Sequence, residues 1–148
     1  MNATAEKFGY PRSLVGEWPR WLALLRPAQP TLGSLVLVCR EPVTRFGAIS
    51  ADAAAELREV VAAVERALGE LLRFDKINYL MLMMVDPDVH FHVLPRYASP
   101  RRYAGEEFAD PFWPGPPEVT RAQTLPDAVA DRLARDLRAG LAAARPAP

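Results

Sequence analysis

DVHFHVLPRY, residues Asp88 to Tyr97, holds both histidines of the chain, His90 and His92, two positions apart in an otherwise largely apolar run. A run of this kind reads as a β-strand, and side chains alternate across a strand. Val89, Phe91 and Val93 therefore face one way, while Asp88, His90, His92 and Leu94 face the other. One face is apolar and the other sets two imidazoles and a carboxylate in register. From the pattern alone three readings of that face are open. The histidines can be polar residues satisfied within the fold, they can join Asp88 as metal ligands, or they can carry nucleophilic or acid–base chemistry near neutral pH.

Working outward, Ile77 to Val85 (INYLMLMMV) reads as a central strand whose polar member is Asn78, with Met81, Met83 and Met84 as adaptable core packing. Asp86, Pro87 and Asp88 form a tight connection, so the two strands pair antiparallel as a hairpin. Further upstream, Ser50 caps a helix that carries Asp52 in its first turn and runs to about Leu72. Leu57, Val60, Val61, Val64, Leu68 and Leu71 recur along it at helical spacing. Gly33 and Ser34 open a buried strand from Leu35 to Val38, with Cys39 as packing.

The ends of the chain are irregular in composition. Residues 1–30 are rich in aromatics and prolines and are expected to form an arm over the core, with a helical turn at Trp18 to Leu25. Residues 98–123 read as an ordered proline-rich loop pinned by Phe108, Phe112 and Trp113. Arg96, Arg101 and Arg102 lie at the strand end, where guanidinium groups suit a phosphate, although solvent-facing roles fit the last two. Thr124 and Asp127 resemble a capping box that opens a C-terminal helix over 124–145, with Leu133, Leu137 and Leu141 on one side. The expected organisation is one domain over 1–148, with the core at 31–97 between these ends.

Composition narrows the classes of function. With 148 residues and 50% hydrophobic content the chain can bury one sizeable core. Eighteen Lys+Arg balance 18 Asp+Glu, which disfavours nucleic-acid or membrane binding driven by bulk charge. The single cysteine excludes an intramolecular disulfide framework, and no apolar run approaches a membrane span, so a cytoplasmic protein is expected.

KINYLMLMMVDPDVHFHVLPRY, Lys76 to Tyr97, resembles the C-terminal half of the histidine triad (HIT) domain, whose motif is H-x-H-x-H followed by two apolar residues. HFHVLPRY carries most of the likeness, and TLGSLVLVCREP followed by the long helix resembles the family's element order, so the resemblance covers Thr31 to Tyr97. It implies an α+β fold with an antiparallel sheet, one main packing helix and a C-terminal helix, and commonly a homodimer. It also implies hydrolysis or transfer of a nucleotide, from a conjugate or a dinucleoside polyphosphate, with no cofactor. Position by position, His90 matches the middle histidine, which attacks the α-phosphorus to form a nucleotidyl-histidine. His92 matches the third, which contacts phosphate oxygens, and Asn78 and Ser34 match or lie near polar positions of the site.

Three departures from the pattern carry physical consequences. Asp88 stands where the first histidine is usual, and a carboxylate beside a phosphate repels it unless paired or turned to orient His90. Met83 and Met84 replace the Gly-Asn or Gly-Gln that assists the leaving group, and Pro42 replaces a histidine after the first strand. Two alternatives to catalysis by His90 follow: a nucleotide-binding protein of the same fold with reduced catalysis, and a metalloenzyme using Asp88, His90 and His92.

Overall fold

Runs of apolar sequence without alternation become the inner strands of one sheet. In the computed structural model, which describes residues 2–144, the elements are α1 (Ala3–Lys7), β1 (Leu14–Glu17), β2 (Trp21–Leu25), β3 (Ala28–Gln29), β4 (Leu35–Cys39), α2 (Ala51–Leu72), β5 (Lys76–Leu80), β6 (His90–Arg96), β7 (Arg101–Tyr103), β8 (Glu106–Phe108), β9 (Gln123–Thr124) and α3 (Asp127–Ala144). A five-stranded antiparallel sheet runs in the order β1-β2-β4-β6-β5. Helices α2 and α3 lie against one face, and α1 lies against the other. The fold is thus the α+β arrangement expected.

Every residue of β2 and of β4 is buried, because both faces of the sheet are covered and a strand so placed needs apolar side chains at each position. This corrects the helical turn expected at Trp18 to Leu25: WLALL, bounded by Pro19 and Pro27, is an inner strand. It also corrects the picture of residues 1–30 as an arm, since β1 and β2 belong to the sheet and α1 alone drapes over it.

The main helix forms as its pattern predicts. Ser50 Oγ accepts from the Ala53 N–H at 3.0 Å, and Val60, Val64, Leu68 and Leu72 are buried against the sheet. Helix α3 packs beside α2, with Gly140 so near Ala67 that an added Cβ would lie 3.2 Å from its Cβ. Arg138 of α3 donates to the carbonyls of Leu14 and Arg12, which binds the helix to β1 at the edge of the sheet. The helix begins at Asp127, not at Thr124, because Thr124 pairs with Ala28 in the small β3–β9 ladder. Its expected end at 145 lies outside the described residues. No helix among those residues is long and apolar enough to cross a membrane.

β5 and β6 pair antiparallel as predicted, but β5 ends at Leu80 and is an edge strand. Residues 81–88 leave the sheet, with Met83 at φ 50° and Leu82, Met84 and Val85 exposed at 48%, 88% and 82%. The expected strand to Val85 fails because Leu80 is the last residue with a partner on β6.

Downstream, β7 and β8 form a hairpin across Ala104 and Gly105, both at positive φ, as a two-residue turn of the primed type requires. Arg96 ties the following loop to the sheet. Its Nε and Nη2 donate to the Asp110 carboxylate at 2.7 and 3.3 Å, Nη1 donates to Asn78 Oδ1 at 2.8 Å, and Nη2 also reaches the Gly115 carbonyl at 2.8 Å. Both charged side chains are buried. Burial opposes ionisation of Asp110, yet the hydrogen bonds from Arg96 and from the Phe112 and Tyr97 N–H groups outweigh it and hold the carboxyl below its usual range. The unfolded carboxyl therefore takes up its proton at higher pH than the folded one, so this stabilisation is present above the usual carboxylate range and is lost as pH falls through the depressed folded value. Asp110→Ala leaves Arg96 buried without its counterion and is expected to cost about 3–5 kcal/mol in urea unfolding at neutral pH, with a flatter loss of stability on acidification.

Candidate active site

The register of the sheet places the site in rows. Leu24 lies opposite Val36, Val36 opposite His92 and His92 opposite Leu80, while Leu22, Val38 and His90 form the adjacent row. On the other side of that central row, the Arg26 N–H donates to the Ser34 carbonyl at 3.0 Å and Leu94 lies opposite Asn78. Phe91 and Val93 face α2 and the main core. The alternation expected for Asp88 to Tyr97 is the one observed. The histidine face, however, is not open to solvent: His90 is 1% exposed and His92 6%. Ala5 and Phe8 of the α1 segment pack on Leu22, Leu24, Val36 and Val38, and the Phe8 ring sits edge-on to His92 at 5.7 Å and tilted to His90 at 6.2 Å between centroids.

His90 Nδ1 lies 2.7 Å from the Asp88 carbonyl oxygen. A carbonyl only accepts, so Nδ1 holds a hydrogen and Nε2 is the nitrogen that can carry a lone pair. The His92 ring stands edge-on to it at 5.2 Å, with Nδ1 buried and unpartnered. Burial first, then the positive charge of Arg26 and the neighbouring His90, push His92 down to about 4. At neutral pH His92 is uncharged.

Asp88 is joined to His90 through its backbone. Its carboxylate instead accepts from Thr4 at 3.2 Å (N–H) and 2.8 Å (Oγ1), which fastens the first turn of α1. Lys7 pairs with Asp86 at 2.9 Å and Asn2 Nδ2 donates to the Cys39 carbonyl at 2.9 Å, further securing that helix. The carboxylate expected to orient one of the histidines, or in the alternative reading to join them on a metal, is thus engaged by Thr4, and no cluster of three or more His, Cys, Asp or Glu suited to a metal occurs among the described residues.

The remaining sequence-derived candidates are drawn into local structure. Ser34 is fully buried; its Oγ donates to the Thr31 carbonyl at 2.7 Å and accepts from the Thr31 N–H at 3.2 Å. Asn78 and Arg96 share the network with Asp110 one row or more beyond His92. Arg101 stacks over Tyr97 and donates to the Arg73 carbonyl and to Asp75. Sequence reasoning missed Thr4, Phe8 and Arg26. Had WLALLR been recognised as a strand, its alternation would have put Leu22, Leu24 and Arg26 on the histidine face.

Because the unfolded state protonates His92 at a higher pH than the folded state, stability rises with pH between about 4 and the ordinary histidine value. In an NMR titration His92 is expected to titrate near 4, and Phe8→Ala, which removes its cover, is expected to move that value up toward the ordinary one.

The fold has counterparts among known proteins. The family model of the HIT domain matches residues 8–99. No curated protein matches the sequence. Among solved structures, a histidine triad protein from Marinobacter aquaeolei VT8 is 21% identical, with a TM-score of 0.75 over 98% of this chain and 99% of that one. One from Bradyrhizobium japonicum is 20% identical, with a TM-score of 0.71 over 95% and 96%. A hypothetical histidine triad nucleotide-binding protein from Sulfolobus tokodaii strain 7 is 18% identical, with a TM-score of 0.68 over 88% and 84%. At these identities the structural likeness is one of fold. The family match takes in β1, β2, β4, α2, β5 and the whole histidine strand, and by it the chain belongs to the HIT domain family.

Proposed function

We propose that this protein is a nucleotide hydrolase or nucleotidyl transferase that works through a covalent nucleotidyl-His90, acting on a nucleotide conjugate or a dinucleoside polyphosphate. The observation that carries the reading is the 2.7 Å contact from His90 Nδ1 to the Asp88 carbonyl, which leaves Nε2 as the nucleophilic nitrogen. In the first step Nε2 attacks the α-phosphorus and the bond from phosphorus to the leaving group breaks, the leaving group departing with the bonding electrons and taking up a proton. In the second, water attacks the same phosphorus, the P–N bond breaks back onto Nε2, and the water proton is lost to solvent. A uncharged His92 beside the phosphate serves as a hydrogen-bond donor rather than a competing base.

Leu22, Leu24, Val36 and Val38 supply an apolar floor that suits a flat base. With both rings covered, substrate enters where α1 and Phe8 lie, and α1 gives way at a few contacts, of which the exposed Lys7–Asp86 pair is worth only about 0–1 kcal/mol. Asp88, held by Thr4, keeps its charge engaged away from the phosphate while α1 is closed. We assign the protein to the cytoplasm and to a homodimer in which a second copy covers the outer edge of β5 and the exposed Met84 and Val85.

The depth of His90 and the Met83–Met84 replacement favour one second reading, a nucleotide-binding protein with little turnover. The two separate by intact-mass spectrometry after rapid acid-free quench with adenylated and guanylated substrates. The catalytic reading expects a nucleotide-sized adduct on the wild type, none on His90→Ala, and a fall in turnover of about 10³-fold or more in that variant. Ligand-induced rise in melting temperature without any adduct transfers the protein to the binding reading. For the assembly, Val85→Glu combined with Met84→Glu is expected to shift light-scattering mass from dimer to monomer; a monomeric wild type refutes it.

A further inference from the structure

Two buried side-chain atoms among the described residues are without a hydrogen-bond partner, Arg26 Nε and His92 Nδ1. Buried polar atoms are almost always satisfied, so an orphan at a site asks for an explanation. These two share a face of the sheet. Arg26 follows β2 and is bonded through its N–H to Ser34, whose chain continues two residues on to Val36, the cross-strand partner of His92. The guanidinium is fixed at its far end, Nη1 donating to the Ala28 carbonyl at 2.8 Å and Nη2 to the Val119 carbonyl at 3.0 Å. Its placement is therefore set, and Nε is the guanidinium nitrogen left without a partner. The charge is near enough to rank second, after burial, among the causes that lower His92. Arg26 also borders a cleft of about 200 Å³ whose lining includes Arg12, Asp127 and Asp131 and neither histidine.

We propose that Arg26 is a phosphate-binding residue of this site, its Nε–H and the His92 Nδ1–H closing on oxygens of the substrate's α-phosphate. One bound anion then satisfies both orphan atoms at once. It also accounts for a charge balance the motif leaves open. Asp88 occupies the first histidine position and brings a negative charge, so the positive group that faces the phosphate comes from the residue after β2 instead. A guanidinium pinned by two carbonyls is preorganised, and it stabilises charge that builds on phosphate oxygens without first having to be ordered. The inference rests on the nucleotide reading above.

The test compares wild type, Arg26→Met and Arg26→Lys for binding of AMP and GMP against adenosine and guanosine by calorimetry. Wild type is expected to hold at least one monophosphate about 10-fold or more tighter than its nucleoside. Arg26→Met is expected to lose that advantage while keeping nucleoside affinity, and Arg26→Lys, which keeps charge but not the Nε–H, to recover only part. An NMR titration gives a second readout, since removing the charge in Arg26→Met raises the pH at which His92 titrates in the free protein. An undiminished monophosphate advantage in Arg26→Met overturns the Arg26 role and leaves the nucleotide reading standing, the orphan atoms then being served by water. If Arg26→Met does not fold, an unchanged advantage in Arg26→Lys overturns the role. Failure of wild type to bind any of the four probes overturns the nucleotide reading, and the Arg26 role with it.

Discussion

Asp88 is the hinge on which the chemistry and the architecture meet. Its carbonyl oxygen takes the Nδ1 hydrogen of His90 and so decides which ring nitrogen is left basic, and its carboxylate takes two donors from Thr4 and so decides where the N-terminal helix lies. The first interaction is made by the backbone and is available to any residue in that conformation. The second belongs to the carboxylate. A residue that departs from the motif at its first position thus preserves the orientation of the histidine after it, and binds a cover over the pair.

That cover has an electrostatic consequence. Burying an imidazole disfavours its charged form, and Arg26 disfavours it further, so His92 is kept neutral well below the ordinary histidine range. A neutral ring is the form that can donate one hydrogen bond and accept another, whereas the carboxylate near enough to favour a charged one, Asp86, is paired with Lys7 of α1 and is outweighed by burial. Phe8, lying edge-on to His92, contributes to the burial that does most of this. The closed face is in this sense self-consistent: apolar neighbours, a backbone acceptor for His90, and a carboxylate turned toward the helix.

How much of this could be read from the sequence follows from where the signals were local. The alternation through Val89, His90, Phe91 and His92 is a property of a single strand, and it survived intact. So did α2, whose cap at Ser50 and whose spacing from Val60 to Leu68 lie within one element, although its last buried position is Leu72 and not Leu71. The errors arose where a neighbour decides the outcome. WLALL has no alternation because both of its faces are covered, and that covering is not visible from the five residues themselves. LMMV, by contrast, is apolar enough for a strand yet leaves the sheet: pairing stops at Leu80 and His92 although β6 continues to His90, and Met83 takes a left-handed turn. For the site, the histidines were legible as a pair, whereas Thr4, Phe8 and Arg26 reach it from segments 64 or more residues away in sequence.

Arg96 shows why residue type at a promising position does not by itself make a ligand contact. Guanidinium at the end of the histidine strand looks like a phosphate donor, but four of its N–H groups are committed to Asp110, Asn78 and Gly115, and the pair it forms is buried. Releasing it to bind substrate would leave the Asp110 carboxylate uncompensated in the interior, a loss larger than an added phosphate contact returns. Arg26 differs in the one respect that matters: its two terminal nitrogens are held by neutral carbonyls, so its positive charge is not already cancelled by a carboxylate, and its Nε–H is unspent. Between two arginines near the same strand face, the proposal for an anion goes to the one whose charge the fold has left unneutralised.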